Sequence, residues 1–143
     1  MEQKIKLVAD VTILSGESSN NKTVLVQYKN SDNYNGQQGW FIPDDLINTG
    51  EHPDDAAIRI LKEQLGIETE SVKIDHVESF TGMDKSWHVI FHYVYTGENY
   101  DFKPGDNIAE LNWFDVNVLP PDKEISHHGW AKWTLQTILS NRK

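Results

Sequence analysis

The sequence predicts an α+β fold in which a mixed β-sheet is sandwiched between helices, and three observations carry that prediction. Segments of alternating apolar and polar residues are spaced along the chain as strands. A capped amphipathic helix sits mid-chain, and a second helical pattern closes the sequence.

Residues 4 to 14 and 23 to 28 read as the first two strands. The second, TVLVQY, alternates β-branched and aromatic residues, and the polar run SGESSNN between them marks a hairpin turn. A polar, glycine-bearing loop, KNSDNYNGQQG, precedes Trp40-Phe41-Ile42-Pro43. Pro53 then stands where a first helical residue belongs, with Asp54 and Asp55 beside the positive end of the helix dipole. The helix runs from 53 to 65. Ala57, Leu61 and Leu65 form its core face, and Gly66 supplies the left-handed residue that ends it. Ser71 to Glu78, Trp87 to Tyr95 and Leu111 to Val116 read as further strands. A last helix spans His128 to Leu139, with Ser126 as its cap.

Composition fits one domain over residues 1–143, long enough for a single core and without a break or repeat that would mark a linker. There is no cysteine, hence no disulfide framework or thiol nucleophile, and no apolar run of membrane-spanning length. The expected address is cytoplasmic. Thirteen basic against 22 acidic residues leave a net charge of −9, which disfavours long polyanions such as nucleic acid but tolerates a mononucleotide-sized ligand.

The most informative stretch is Asp45 to Ile67, DLINTGEHPDDAAIRILKEQLGI. Glu51 lies within reach of Arg59 if the preceding loop folds back over the helix, a bidentate pair that would tie loop to helix. Positions 60, 63 and 64 share a different helix face. The stretch resembles the Nudix box: Glu51, Arg59, Leu61, Glu63, Gly66 and Ile67 match that pattern in register. Three positions depart from it. Asp45 stands for the opening glycine, Ile60 for the first helix glutamate and Gln64 for the last.

The resemblance implies a Nudix fold, an α/β/α sandwich, with a short strand at Trp40-Phe41-Ile42-Pro43 leading into the box, and a cleft for a nucleoside diphosphate linked to another moiety. In the family the helix glutamates hold magnesium against a pyrophosphate. Here Glu63 alone survives, so a Mg2+ site is weakened: Ile60 cannot ligate, and Gln64 offers a neutral carbonyl where an anion is wanted. Asp44 and Asp45 occupy the turn that in the family contributes backbone oxygen to the metals. They are either solvated turn residues or, beside Glu63, the carboxylates of a rebuilt cation site.

Other residues carry two readings each. On the strand from Trp87 to Tyr95, the face with Trp87, Val89, Phe91, Tyr93 and Tyr95 is expected in the core. His88 and His92 share the other face, roughly 13 Å apart at about 3.3 Å per residue, too far to chelate one ion together. Each is a sheet histidine or, if that face borders the cleft, a ligand-recognising one. His127 and His128 mark a helix start or supply a loop histidine to the substrate. Glu110, shortly before Trp113, faces the cleft as a second catalytic carboxylate beside Glu63 or caps a strand. Tyr28, Tyr34, Trp40 and Phe80 are candidates to stack on a base, and Tyr28 and Trp40 alternatively pack the core.

Three functions remain open at this stage: a specialised magnesium-dependent hydrolase using Glu63 with Asp44, Asp45 or Glu110; a nucleotide-type ligand module without turnover; and an interaction protein or homodimer in which Ile60 creates an apolar docking spot.

Overall fold

The computed structural model describes residues 4–15, 21–32, 36–82, 85–97 and 100–142. Six strands and two helices follow in the order β1 (Ile5–Ser15), β2 (Lys22–Tyr28), β3 (Asp44–Leu46), α1 (Pro53–Leu65), β4 (Lys73–Thr81), β5 (Trp87–Tyr95), β6 (Ile108–Asp115) and α2 (Ser126–Asn141). The sheet order is β4-β5-β1-β2-β6, with β3 alongside β1. β1 and β5 run parallel and the other pairs antiparallel, so the sheet is mixed.

Two apolar clusters lie on opposite faces of the sheet. One gathers Ala9, Val11, Val26 and Tyr93 with Ala57, Ile60, Leu61 and Leu65 of α1. The other gathers Leu14, Leu25, Trp40 and Val94 with Ala131, Leu135 and Ile138 of α2. The α/β/α sandwich therefore has one helix per face. No helix among the described residues is long and apolar enough to cross a membrane.

Helix α1 begins and ends where local chemistry dictates. Pro53 is its first residue, the His52 Nδ1 accepts from the Asp54 backbone N–H at 3.0 Å, and Gly66 takes the left-handed conformation at φ 70°. The last carbonyls are taken up by the following loop, through Lys103 N–H to Leu65 O at 2.8 Å and Gly105 N–H to Gln64 O at 3.0 Å.

Four expectations need correction. The strand expected at 40–43 makes only single bridges, Trp40 with Ile125 and Phe41 with Val26. The ladder to β1 begins at Asp44, because Pro43 has no N–H to donate. Ser126 does not cap α2: Ile125 holds the cap position without a side-chain bond, and the Ser126 N–H is taken by the Trp40 carbonyl at 2.9 Å. On β5, Phe91, Tyr93 and Tyr95 join the α1-side core as expected, but Trp87 on that face is 39% exposed, and the face of His88, Ile90, His92 and Val94 is buried as well. Ile60 is buried in the α1 core and offers no docking spot.

Candidate functional site

Arg59 is the hub of the Asp45–Ile67 stretch. Its Nε and Nη2 grip the two Glu51 oxygens at 2.9 and 3.1 Å, Nη1 reaches Asp45 Oδ2 at 2.9 Å, and Nη2 also donates to the Leu46 carbonyl at 2.9 Å. Glu63, one turn on, stands 3.6 Å from Nη1 with its side chain largely exposed. The hydrogen bond to Glu51, strengthened by Asp45, raises the guanidinium pKa, while the Arg59 bond holds the Glu51 carboxyl below its ordinary value. Asp45, standing for a glycine, is thus neutralised by the helix it faces.

A second knot forms around Gln64. Its Nε2 donates to the Asp44 backbone carbonyl at 2.8 Å, and its Oε1 accepts from the Tyr28 hydroxyl at 2.9 Å. The Asp44 N–H donates back to the Tyr28 oxygen at 3.0 Å. Gln64 is almost fully buried, so both halves of the amide are satisfied inside the protein. The Asp44 carboxyl, half-buried, packs beside this knot and accepts from the Tyr28 hydroxyl at 3.2 Å. Burial, and the neighbouring Asp10 charge, push its pKa well above the ordinary carboxyl value.

Two depressions meet at this knot. On the α1 side, an open pocket is bordered by Tyr28, Asp45, Glu63, Gln64, Asp106 and Asn107. On the α2 side lies a mostly apolar slot whose walls include Phe41, Phe80, His88, Ile90 and Trp130, with Asp10 and Asp44 as its carboxyl groups. Phe80 lies flat on the His88 imidazole with centroids 4.5 Å apart, and Trp130 meets Phe80 edge-on at 4.9 Å. His127 stands at the mouth, 5.6 Å from Trp130, on a backbone with φ 52°, a conformation that costs a non-glycine residue energy.

Asp10 leads from the slot into a buried polar group. His92, fully buried, holds Asp10 Oδ1 at 2.8 Å through Nδ1 and Glu78 Oε1 at 2.7 Å through Nε2. Burial alone would depress this imidazole, yet the two carboxylates, Asp10 foremost, outweigh it and raise the pKa.

The sequence-predicted residues are dispersed over these features. Glu63 and Asp45 border the open pocket, Asp44 the slot, and His88 and His127 the slot. Glu110 is not brought to Glu63: it is exposed on β6, in a separate depression with Phe102 and Pro104. Trp40 is spent on the core, buried against Phe114 at 5.0 Å, and does not reach the slot. Tyr34 lies outside the described residues. Sequence reasoning missed Asp10 and Trp130, and it singled out His92 without its partners Asp10 and Glu78. A charged residue in the middle of the apolar run KLVADVTIL is the one local signal that would have drawn attention to Asp10.

This fold, with a helix clamped by arginine to the loop before it, is matched by the NUDIX domain family over residues 6–134. The chain belongs to that family. Among solved structures, a MutT/nudix family protein from Enterococcus faecalis is 25% identical with a TM-score of 0.66, and the match covers 80% of this chain but 45% of that protein. A MutT NUDIX hydrolase from Burkholderia pseudomallei superposes with a TM-score of 0.72 at 17% identity, covering 99% of this chain and 100% of the other. The NUDIX domain of Shewanella oneidensis NrtR, complexed with ADP ribose, gives 0.68 at 16% identity, covering 95% and 88%. No curated protein matches the chain.

Proposed function

We propose that this protein binds a nucleoside-diphosphate-linked ligand in its cleft and that pyrophosphate hydrolysis is weakened or lost. One observation carries this reading: the Gln64 amide donates to the Asp44 carbonyl. The family resemblance puts a metal-bridging carboxylate at position 64 and a metal-facing carbonyl in the Asp44–Asp45 turn. A neutral amide N–H now joins the two directly, doing structurally what a cation would do between two oxygens. The surrounding residues do not fit a magnesium cage. Ile60 is in the core, the half-buried Asp44 carboxyl has its pKa pushed up by desolvation, Asp45 is committed to Arg59, and Glu63 is an exposed carboxylate 3.6 Å from the same guanidinium.

The slot supports the binding half of the proposal. Phe80, His88 and Trp130 offer aromatic surface of the kind that takes a base, and Asp44 and Asp10 line the same slot with two carboxyl groups whose pKa values desolvation raises, polar groups suited to a base edge. The ADP-ribose-bound Shewanella domain makes ADP-ribose the first ligand to try. Titration calorimetry in EDTA is expected to give saturable ADP-ribose binding that added Mg2+ leaves unchanged. Trp130→Ala should weaken it about tenfold or more, from lost stacking. Binding that requires Mg2+, or that Trp130→Ala leaves intact, would contradict the proposal.

A second reading rests on Asp45, Glu63 and Asp106 bordering one open pocket. If these hold a cation, the protein is an active hydrolase on substitute carboxylates, and Glu63→Ala abolishes turnover.

A further inference from the structure

We propose that His76, Glu78 and His92 form a binding site for a divalent transition-metal ion, separate from the Nudix box and made by the β4–β5 pair. One ligand atom from each of the three lies within 4.8 Å of the others. The register explains how they meet. His76 is the direct cross-strand partner of His92, and Glu78 follows two residues along β4 on the same face.

What distinguishes this group from an ordinary ionic cluster is the state of the second ring nitrogens. His92 Nδ1 is held by Asp10 at 2.8 Å, and His76 Nδ1 by Asp75 at 2.5 Å. Each imidazole is thereby oriented by a carboxylate through Nδ1 and left with Nε2 as its ligand atom, the outer-shell arrangement found around metal-binding histidines. The β4 irregularity supplies one of these supports. Ile74 pairs with Tyr93 and His76 with His92, so Asp75 is an extra, unpaired residue, and such bulges re-aim side chains. Asn141 at the end of α2 then pins the Asp75 carboxylate at 2.9 Å.

The donor set selects the ion. Two imidazoles and one carboxylate suit zinc, cobalt, nickel or copper better than magnesium. Three protein ligands leave coordination positions open, and the Glu78 side chain is 45% exposed, which gives an ion a way in. A tetrahedral ion with ligands at about 2.0–2.1 Å spaces them roughly 3.4 Å apart, so the group would contract on loading. The rings already stack at 4.4 Å. Asp10 also lines the slot, so an ion on His92 would sit one residue behind the proposed ligand site.

The test titrates cobalt(II) and zinc into the untagged, EDTA-treated and desalted full chain, following cobalt visible absorption and zinc competition against a chromophoric chelator. One equivalent is expected to bind. His76→Ala and Glu78→Gln should each weaken affinity at least tenfold, and Asp75→Asn by about tenfold through its outer-shell role. Glu78→Gln keeps the size of the side chain and a hydrogen-bonding partner for His92 at a half-exposed position, so it tests the ligand role in a folded protein. Glu63→Ala should leave binding unchanged. Failure of the folded wild type to bind one equivalent, binding in Glu78→Gln equal to the wild type, or loss of binding in Glu63→Ala would each overturn the proposal.

Discussion

Single side chains decide the character of this cleft. At position 64 an amide replaces a carboxylate, and the amide's donor is what lets it close on the Asp44 carbonyl without an ion. Desolvation at this knot pushes the Asp44 pKa above its ordinary value. The sign of the resulting pH dependence follows from that shift. Above about pH 3.9 the unfolded chain has released the Asp44 proton while the folded chain retains it, so this group costs the folded state stability as pH rises, until its raised folded pKa is passed. Asp44→Asn has no such proton to lose. Its melting temperature should therefore improve relative to wild type with increasing pH across this window, although Asp10, Asp45 and His92 act on the same carboxyl. Parallel melting curves for the two proteins from pH 4 upward would contradict a retained proton. None of these partnerships was legible in the sequence. Gln64 meets Tyr28 from 36 residues away and His92 meets Asp10 from 82, distances over which no periodicity speaks.

At the scale of elements the sequence was more readable, because the signals there are local. Pro53 and Gly66 bracket α1 as read, and the alternation of Trp87 to Tyr95 gives β5 its observed limits. What the local signals missed was strand extent and the covering of the second face of β5. Alternation shows that a strand has two faces but not which helix will cover each, and α2 buries the histidine face of β5. Phe80 belongs to β4 and not to a loop, because its partner is His88 across the ladder, a pairing invisible in the sequence of β4 alone. Gly66 illustrates how an element end also serves packing. A Cβ there would lie 2.7 Å from the Lys103 Cβ and 2.9 Å from its carbonyl oxygen, on a backbone already left-handed. Gly66→Ala should cost about 1–3 kcal/mol in urea unfolding, against a few tenths for an alanine substitution at an unconstrained exposed site. A neutral result would mean that the 100–107 loop yields easily.

The whole molecule couples two halves that the Nudix resemblance had joined in one expectation. The frame survives: the sandwich, the Arg59 clamp on Glu51 and the capped helix are all in place. On the proposed function the metal half does not follow with it, a reading supported by a core isoleucine and a hydrogen-bonded amide at two positions where the resemblance puts helix carboxylates. Across the sheet, the α2 side gathers the slot and the His76–Glu78–His92 group, and Asp10 belongs to both. On this account the chemistry of the protein has moved from α1 to the opposite face. The measurement that bears most directly on it is phosphatase-coupled phosphate release from ADP-ribose, dinucleoside polyphosphates and nucleotide sugars, with Mg2+ or Mn2+, comparing folded wild type with Glu63→Ala. The account predicts that both release phosphate at the same background rate. Turnover by the wild type that Glu63→Ala abolishes would contradict it, and would place a working metal site back on α1.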